Sequence, residues 1–339
     1  MSFRVRPASN DDFPAIYEMA KLTGGGFTNL PPDKPALVDK LIRSEHAFAK
    51  QEEEPGSDLY VMVLENVETG QIRGTCQIFG QVGTESPFYS YRISTLTQTS
   101  QALGKTFRAE MLSLVTDFEG SSEVGGLFLH PEARAGGLGL LLARSRYLFI
   151  RQHRKRFGER LLAELRGVID EAGGSPFWDS IAGLFFGMNF QEADEFNARH
   201  GTQFIADLMP KAPIYTAMLA DSARAVMGVP HPSGRAAMKM LEREGFTYDC
   251  YIDIFDGGPT MSARTDSVRT VRDSRDLIVS DLEEDPDGEP LMLAAGRLRD
   301  FVACYGRVRT HGDGTATLDA ASAALLGIAP GDSFLAIGR

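Results

Sequence analysis

One short run carries the clearest chemical signal in this chain, Arg134-Ala135-Gly136-Gly137-Leu138-Gly139, of the form R-x-x-G-x-G. Small residues let the backbone approach a bulky anion, amides left free at a helix start point toward it, and the helix dipole favours negative charge. A pyrophosphate suits such a loop. The run follows the apolar stretch Val124 to Leu129 and opens a long amphipathic pattern, so it is expected between a strand and a helix. Taken alone, the pattern also fits an ordinary glycine turn. It lacks the G-x-G-x-x-G spacing and the later ribose-binding acid of a dinucleotide site.

Periodicity outlines the elements that must hold this loop. Phe3 to Ala8 alternates as a strand, Asn10-Asp11-Asp12 signals entry to a helix through Phe13, Ile16, Tyr17 and Ala20, and Leu37, Leu41 and Ile42 mark a second helix. Leu59 to Glu65 and Ile72 to Phe79 read as a hairpin turning at Glu68-Thr69-Gly70, and Pro87 to Ile93 reads as extended. Val124 to Leu129 (strand), Leu138 to Phe157 (helix), Arg160 to Ile169 (strand) and Pro176 to Met188 (helix) then alternate, and Gly234 to Glu244 (helix) precedes Tyr251 to Phe255 (strand). An α/β layered domain follows. On the long helix, Leu138, Leu141, Leu142, Leu148 and Phe149 form the expected buried stripe, with Arg144, Arg151, Arg154 and Lys155 facing outward.

Composition changes at Gly257-Gly258-Pro259. Residues 1–260 are expected to form the α/β domain and residues 261–339 a small β-rich C-terminal domain, with little periodicity between Ala263 and Asp287 and short strands around glycine turns near Leu325 to Asp332. The net charge of -11 over 339 residues, with no basic block interleaved with aromatics, points away from nucleic acid. Cys76, Cys250 and Cys304 have no metal-ligand spacing and read as thiols of a reducing compartment. No apolar run reaches membrane-spanning length and the first residues lack an apolar targeting core, so a cytoplasmic protein without metal is expected.

The order of apolar strand, Leu127-Phe128-Leu129-His130-Pro131, R-x-x-G-x-G loop and long helix resembles the acyl-CoA motif of the GNAT acyltransferase superfamily. That resemblance implies a mixed central sheet flanked by helices, with backbone groups around Leu127 and Leu129 pairing with the pantetheine arm of CoA as an added strand would. Leu127, Leu129, Arg134, Gly137 and Gly139 are then the cofactor-binding residues. Further blocks, in order, resemble the arginine N-succinyltransferase family: Gly24-Gly25-Gly26-Phe27-Thr28-Asn29-Leu30-Pro31-Pro32-Asp33, Pro87-Phe88-Tyr89-Ser90-Tyr91-Arg92, Ala163-Glu164-Leu165-Arg166-Gly167, Ser175-Pro176-Phe177-Trp178-Asp179, Leu208-Met209-Pro210-Lys211 and Asp253-Ile254-Phe255-Asp256-Gly257-Gly258-Pro259.

The family resemblance implies succinyl transfer from succinyl-CoA to the α-amino group of L-arginine, and an oligomer, formed either by this chain alone or with a related subunit. It also implies that His231 is the catalytic histidine, in Gly228-Val229-Pro230-His231-Pro232-Ser233-Gly234, where Pro230 and Ser233-Gly234 depart from the family pattern. Gly125-Gly126 departs too, and the missing side chains are expected to widen the acyl pocket. Thioester aminolysis needs a free amine, a stabilised oxyanion and a proton for the departing thiolate, and a histidine suits the proton step. Glu164, Asp170, Glu171 and Asp253 are candidate partners of a guanidinium, and Arg92 and Arg166 of a succinyl carboxylate. Two alternatives stand beside this reading: an N-acyltransferase for another acyl-CoA or another amine such as ornithine, and a noncatalytic CoA-binding subunit.

Overall fold

The computed structural model describes residues 2–23, 27, 29–201 and 203–339, without the side chains of 198–200 and 206. Strand β1 (Phe3–Pro7) leads through helices α1 (Phe13–Lys21) and α2 (Lys34–Ala49) to the hairpin β2 (Leu59–Asn66) and β3 (Gln71–Phe79). A longer hairpin, β4 (Ser90–Ser100) and β5 (Lys105–Val115), is followed by β6 (Ser122–Leu129), α3 (Leu138–Gln152) and β7 (Arg160–Glu164). Short helices lead to β8 (Ile214–Tyr215), then the helix Arg235–Glu244, β9 (Thr247–Asp253) and β10 (Pro259–Arg264). The C-terminal part holds β11 (Arg275–Glu283), β12 (Glu289–Ala295), β13 (Val302–Thr310), β14 (Thr315–Asp319), the helix Ala320–Leu326 and β15 (Ser333–Gly338).

These strands form one mixed sheet in the order β12-β15-β11-β14-β13-β1-β2-β3-β6-β7-β10-β9-β4-β5-β8. Parallel neighbours need a crossover, and α3 supplies it between β6 and β7. A further pairing of β12 with β13 closes the C-terminal strands into a small barrel, which leaves few free edges there. The expected mixed sheet with flanking helices and a β-rich C-terminal part is therefore present. Among the described residues no helix is long and apolar enough to cross a membrane.

Several local expectations change. Helix α3 is enclosed along most of its length, so Arg144 is buried with Leu141, Leu142, Leu148 and Phe149 instead of facing solvent. Its Nε lies 3.0 Å from Glu244 and 2.8 Å from Thr270 Oγ1, and its Nη1 donates to the Gly338 carbonyl at 2.7 Å. The helix stops at Gln152, short of Phe157, because the His153 ring turns inward beside Glu53 and accepts the Leu298 amide. Strand β7 ends at Glu164, because the chain turns at Gly167, whose amide is taken by Asp256. The stretch Pro176 to Met188 divides at Ile181 into the helices Pro176–Ser180 and Ala182–Phe186, with Phe177 and Trp178 in the core.

The hairpin of β4 and β5 continues well past Ile93, paired in register to Ser100 and back from Lys105. Its outer part is exposed on both faces, so its sequence carries no apolar alternation. Likewise the stretch Ala263 to Asp287 contains both the helix Arg269–Asp273 and β11. In the tail, Asp319 caps a helix by accepting the Ser322 amide at 2.8 Å, where only strands and turns were expected.

Candidate active site

The neighbouring strands β6 and β7 pair only at Ser122↔Leu161 and Glu123↔Leu162. Beyond that point they diverge, and the carboxyl ends of parallel strands are where open α/β sheets bind ligands. On its other side β6 pairs with β3, with Gln77 opposite Gly125 and Thr75 opposite Phe128. The extra residue on β6 makes a β-bulge, which bends the strand. Gly126 sits in the bulge at φ 55°, and a Cβ there would lie 2.7 Å from Gln77 Cδ. Arg146 on α3 holds the bend from behind, donating to the Gly125 carbonyl at 3.3 Å. The space left by Gly125-Gly126 is not a wider pocket: Asn29 and Gln77 side chains fill it, a Cβ on Gly125 meeting Asn29 Nδ2 at 2.6 Å.

At the end of β6 the chain passes through a short turn at Pro131–Ala133 into the glycine loop and α3. Gly136 (φ 63°) and Gly137 (φ 79°) are both left-handed, and the space around Gly136 is open. The amides of Gly136, Gly137 and Gly139 meet no acceptor among the described residues. Arg134 Nε donates to the Leu129 carbonyl at 3.2 Å, and a Cβ on Gly139 would lie 3.6 Å from Leu129 Cδ2. The structure thus brings Leu127, Leu129, Arg134, Gly137 and Gly139 together along one wall of the opening. Three free amides at the head of a helix form a seat for an anion.

The histidine stands on the other wall, beyond the end of β7. The His231 amide donates to the Arg166 carbonyl at 2.8 Å, which carries the imidazole past Glu164 without any hydrogen bond to the glycine loop. Its Nδ1 lies 2.7 Å from Ser233 Oγ, to which it donates in one tautomer, and 3.3 Å from the Ser233 amide nitrogen. Partial burial, with the Arg166 charge, holds His231 below the ordinary histidine range, so the ring is neutral at pH 7. Nε2 is the nitrogen left to meet a substrate.

Acids gather where the two strands part: Glu123 on β6, Glu164 at the end of β7, Asp253 at the end of β9, and Asp256. Asp253 accepts the amides of Phe255 and Asp256 at 2.7 and 2.8 Å, and Asp256 those of Gly167 and Gly258 at 2.7 and 2.8 Å. Backbone groups therefore occupy those two carboxylates. By contrast, Glu123 has a 3.4 Å contact with Asn29 Nδ2, and Glu164 a 3.5 Å contact with Thr260. Burial pushes Glu123 up to about 7, with the Asp253 charge adding to the rise. Glu164 is raised well above the usual range by burial and by the charges of Asp253, Glu123 and Asp256.

Facing Glu123, Lys40 donates to the Asn29 carbonyl at 2.8 Å, and burial lowers its ammonium to about 8. Gln77 Nε2 donates to the same carbonyl at 2.8 Å, leaving Gln77 Oε1 buried with no partner among the described residues. Arg166 also has an Nε beside the cluster that meets no partner among the described residues. Asp170 and Glu171 do not join it. Asp170 closes an exposed turn onto the amides of Ala172 and Gly174. Arg92 is exposed, 3.9 Å from Asp117. Gly24 to Gly26 and Thr28, of the block that includes Asn29, lie outside the described residues.

Sequence reasoning passed over Glu123, Asp256 and Lys40. The available signal was an acid opening the apolar strand Val124 to Leu129, where a carboxylate is costly unless it serves a ligand or a partner. Among the described residues no cluster of His, Cys, Asp and Glu is arranged to hold a metal ion.

Known proteins resemble this chain over most of its length. The chain is 39% identical to the arginine N-succinyltransferase subunit beta of Pseudomonas aeruginosa, over 98% of this chain and 97% of that protein. It is 43% identical to the arginine N-succinyltransferase of Salmonella schwarzengrund, over 86% of this chain and 84% of that protein. Its fold matches the solved arginine/ornithine succinyltransferase subunit AI from Pseudomonas aeruginosa with a TM-score of 0.91 at 33% identity, covering 99% of this chain and 98% of that one. The family model of the arginine N-succinyltransferase beta subunit matches residues 3–270, and the model of that subunit's C-terminal domain matches residues 275–338. The chain belongs to the arginine N-succinyltransferase beta subunit family.

Proposed function

We propose that this protein transfers the succinyl group of succinyl-CoA to the α-amino group of L-arginine. The observation that carries the reading is the opening between β6 and β7, with free loop amides on one wall, a neutral imidazole on the other and two weakly paired carboxylates at the vertex. The loop amides with Arg134 receive the CoA phosphates, and the unpaired edge of β6 around Leu127 and Leu129 receives the pantetheine amides. The amine attacks the thioester carbonyl carbon, the tetrahedral intermediate collapses with cleavage of the C–S bond, and the thiolate takes a proton. His231 relays it: in the tautomer whose Nδ1–H donates to Ser233 Oγ, the bare Nε2 accepts the amine's proton and returns it to sulfur.

Glu123 and Glu164 hold the guanidinium, which supplies the charge that their burial lacks. Lys40 or Arg166 meets the succinyl carboxylate. The arginine/ornithine title of the solved relative supports L-ornithine as a second amine. Because relatives carry subunit names, we also infer that the chain assembles with copies of itself or with a related subunit.

Release of free CoA from succinyl-CoA or acetyl-CoA, each with L-arginine or L-ornithine, tests the reading when combined with product mass. Succinyl-CoA with L-arginine is expected to give the fastest release and a singly succinylated product. Faster turnover of acetyl-CoA would overturn the donor assignment. Tight CoA binding with no release from any pair would make the chain a noncatalytic subunit.

A further inference from the structure

The Gly137 carbonyl is held from two sides. From within α3, the amides of Leu140 and Leu141 both donate to it at 3.0 Å. From the C-terminal barrel, the Tyr305 hydroxyl on β13 donates to it at 2.8 Å. A tyrosine more than a hundred residues away in sequence thereby fixes the Gly137–Leu138 peptide, which directly follows the left-handed pair Gly136-Gly137 with its free amides. Over the Tyr305 ring lies the Arg339 guanidinium, 3.6 Å from the ring centroid. That distance is close even for a cation on an aromatic face.

The adjoining pocket of about 280 Å³ lies beside Tyr305, Arg307 and Arg339, but Glu284, Asp285 and Asp319 also line it. Those acids repel a phosphate placed there. Arg339 borders that pocket and at the same time covers the ring whose hydroxyl holds the Gly137 carbonyl, which sets its charge near the glycine loop.

We propose that the C-terminal barrel is part of the acyl-CoA site: Tyr305 is a positioning residue that pins the glycine loop through the Gly137 carbonyl, and Arg339 is the cation set beside the CoA phosphates. This rests on the reading of the loop as an acyl-CoA site. It gives the barrel a task in substrate binding. The hydroxyl acts on donor affinity and not on proton transfer, so its loss shows in KM and leaves kcat in place.

The test is titration of CoA into the full-length protein and its Tyr305→Phe, Arg339→Ala, Arg339→Lys and Arg134→Ala variants, with steady-state kinetics and amide exchange on the same samples. Tyr305→Phe keeps the ring and the Arg339 stack and loses only the hydroxyl. It is expected to weaken CoA binding about three- to tenfold, to raise the acyl-CoA KM by the same factor with kcat unchanged, and to speed exchange only at the bonded amides of Leu138, Leu140 and Leu141. Arg339→Ala should weaken CoA binding and flatten its salt dependence, with Arg339→Lys restoring most of both. Wild-type CoA affinity and loop exchange in Tyr305→Phe, alongside lost binding in Arg134→Ala, would overturn the role of Tyr305 while sparing the loop. Failure of the wild-type protein to bind CoA would overturn the acyl-CoA reading and this inference together.

Discussion

A neutral imidazole cannot protonate a leaving group until it has first received a proton, and at His231 that order is built in. Burial and Arg166 keep the ring uncharged, while Ser233 occupies Nδ1. Glutamine in its place keeps polarity and loses the relay. His231→Gln is expected to lower kcat about a hundredfold or more and to leave CoA affinity within about twofold, measured by thiol release and calorimetry. Equal turnover in the variant would remove His231 from the chemistry.

The acids at the vertex give a second prediction, in pH. Glu123 and Glu164 have raised values in the fold, so the folded state holds protons that the unfolded chain has lost. Their contribution is full below about pH 4.3, the unfolded value, and it is lost as pH rises through about 7 for Glu123. The ligand-free protein should therefore lose stability between about pH 5 and pH 8, by on the order of 2 kcal/mol. Thermal melts across that range check it, and Glu164→Gln should flatten the slope. A wild-type stability that rises through the same window would contradict the assignment. The glycine loop was legible because R-x-x-G-x-G states its chemistry in adjacent letters. Glu123 was not, because its meaning lies in acids brought from β7, β9 and the following turn, far apart in sequence.

At the scale of elements, the bulge in β6 decides whether the site opens. Gly126 needs a positive φ and has Gln77 packed against the place of a Cβ. Gly126→Ala is expected to cost roughly 1–2 kcal/mol for the left-handed backbone alone, plus the displacement of Gln77. Straightening β6 toward β7 would also close the pantetheine edge, so the acyl-CoA KM should rise about tenfold or more. A melting curve and a donor titration check both. An unchanged KM with lowered stability would reduce the bulge to a packing feature. Periodicity found β6 and α3 because apolar residues repeat there, but a bulge leaves no mark beyond Gly125-Gly126. The hairpin of β4 and β5 escaped for the opposite reason, since its exposed Ser and Thr residues repeat without an apolar face. Arg144 was misread because amphipathicity sees one partner surface, while α3 has the sheet on one side and Glu244, Thr270 and Gly338 on the other.

At the scale of the molecule, β1 lies between β2 and β13, with Arg4 opposite Glu65 on one side and Cys304 on the other. A chain ending at Asp273 would leave that edge of β1 bare and remove Tyr305 from the glycine loop. It is expected to aggregate and to lack a cooperative melt, as size-exclusion and thermal scanning would show; a soluble monomer with native melting would contradict it. The composition break near Gly257 suggested two units, and nothing in the letters of either announced that their sheets join.

That shared strand also sets a timetable. On a ribosome β1 (Phe3–Pro7) emerges long before β13 (Val302–Thr310), the strand that completes it. Until then the nascent chain carries an open strand edge next to its hydrophobic core, ready to pair with a neighbouring polypeptide. The basic side chains Arg4 and Arg6 flank that edge, both paired with Glu65, and charge of this kind discourages stray strands until β13 has been made.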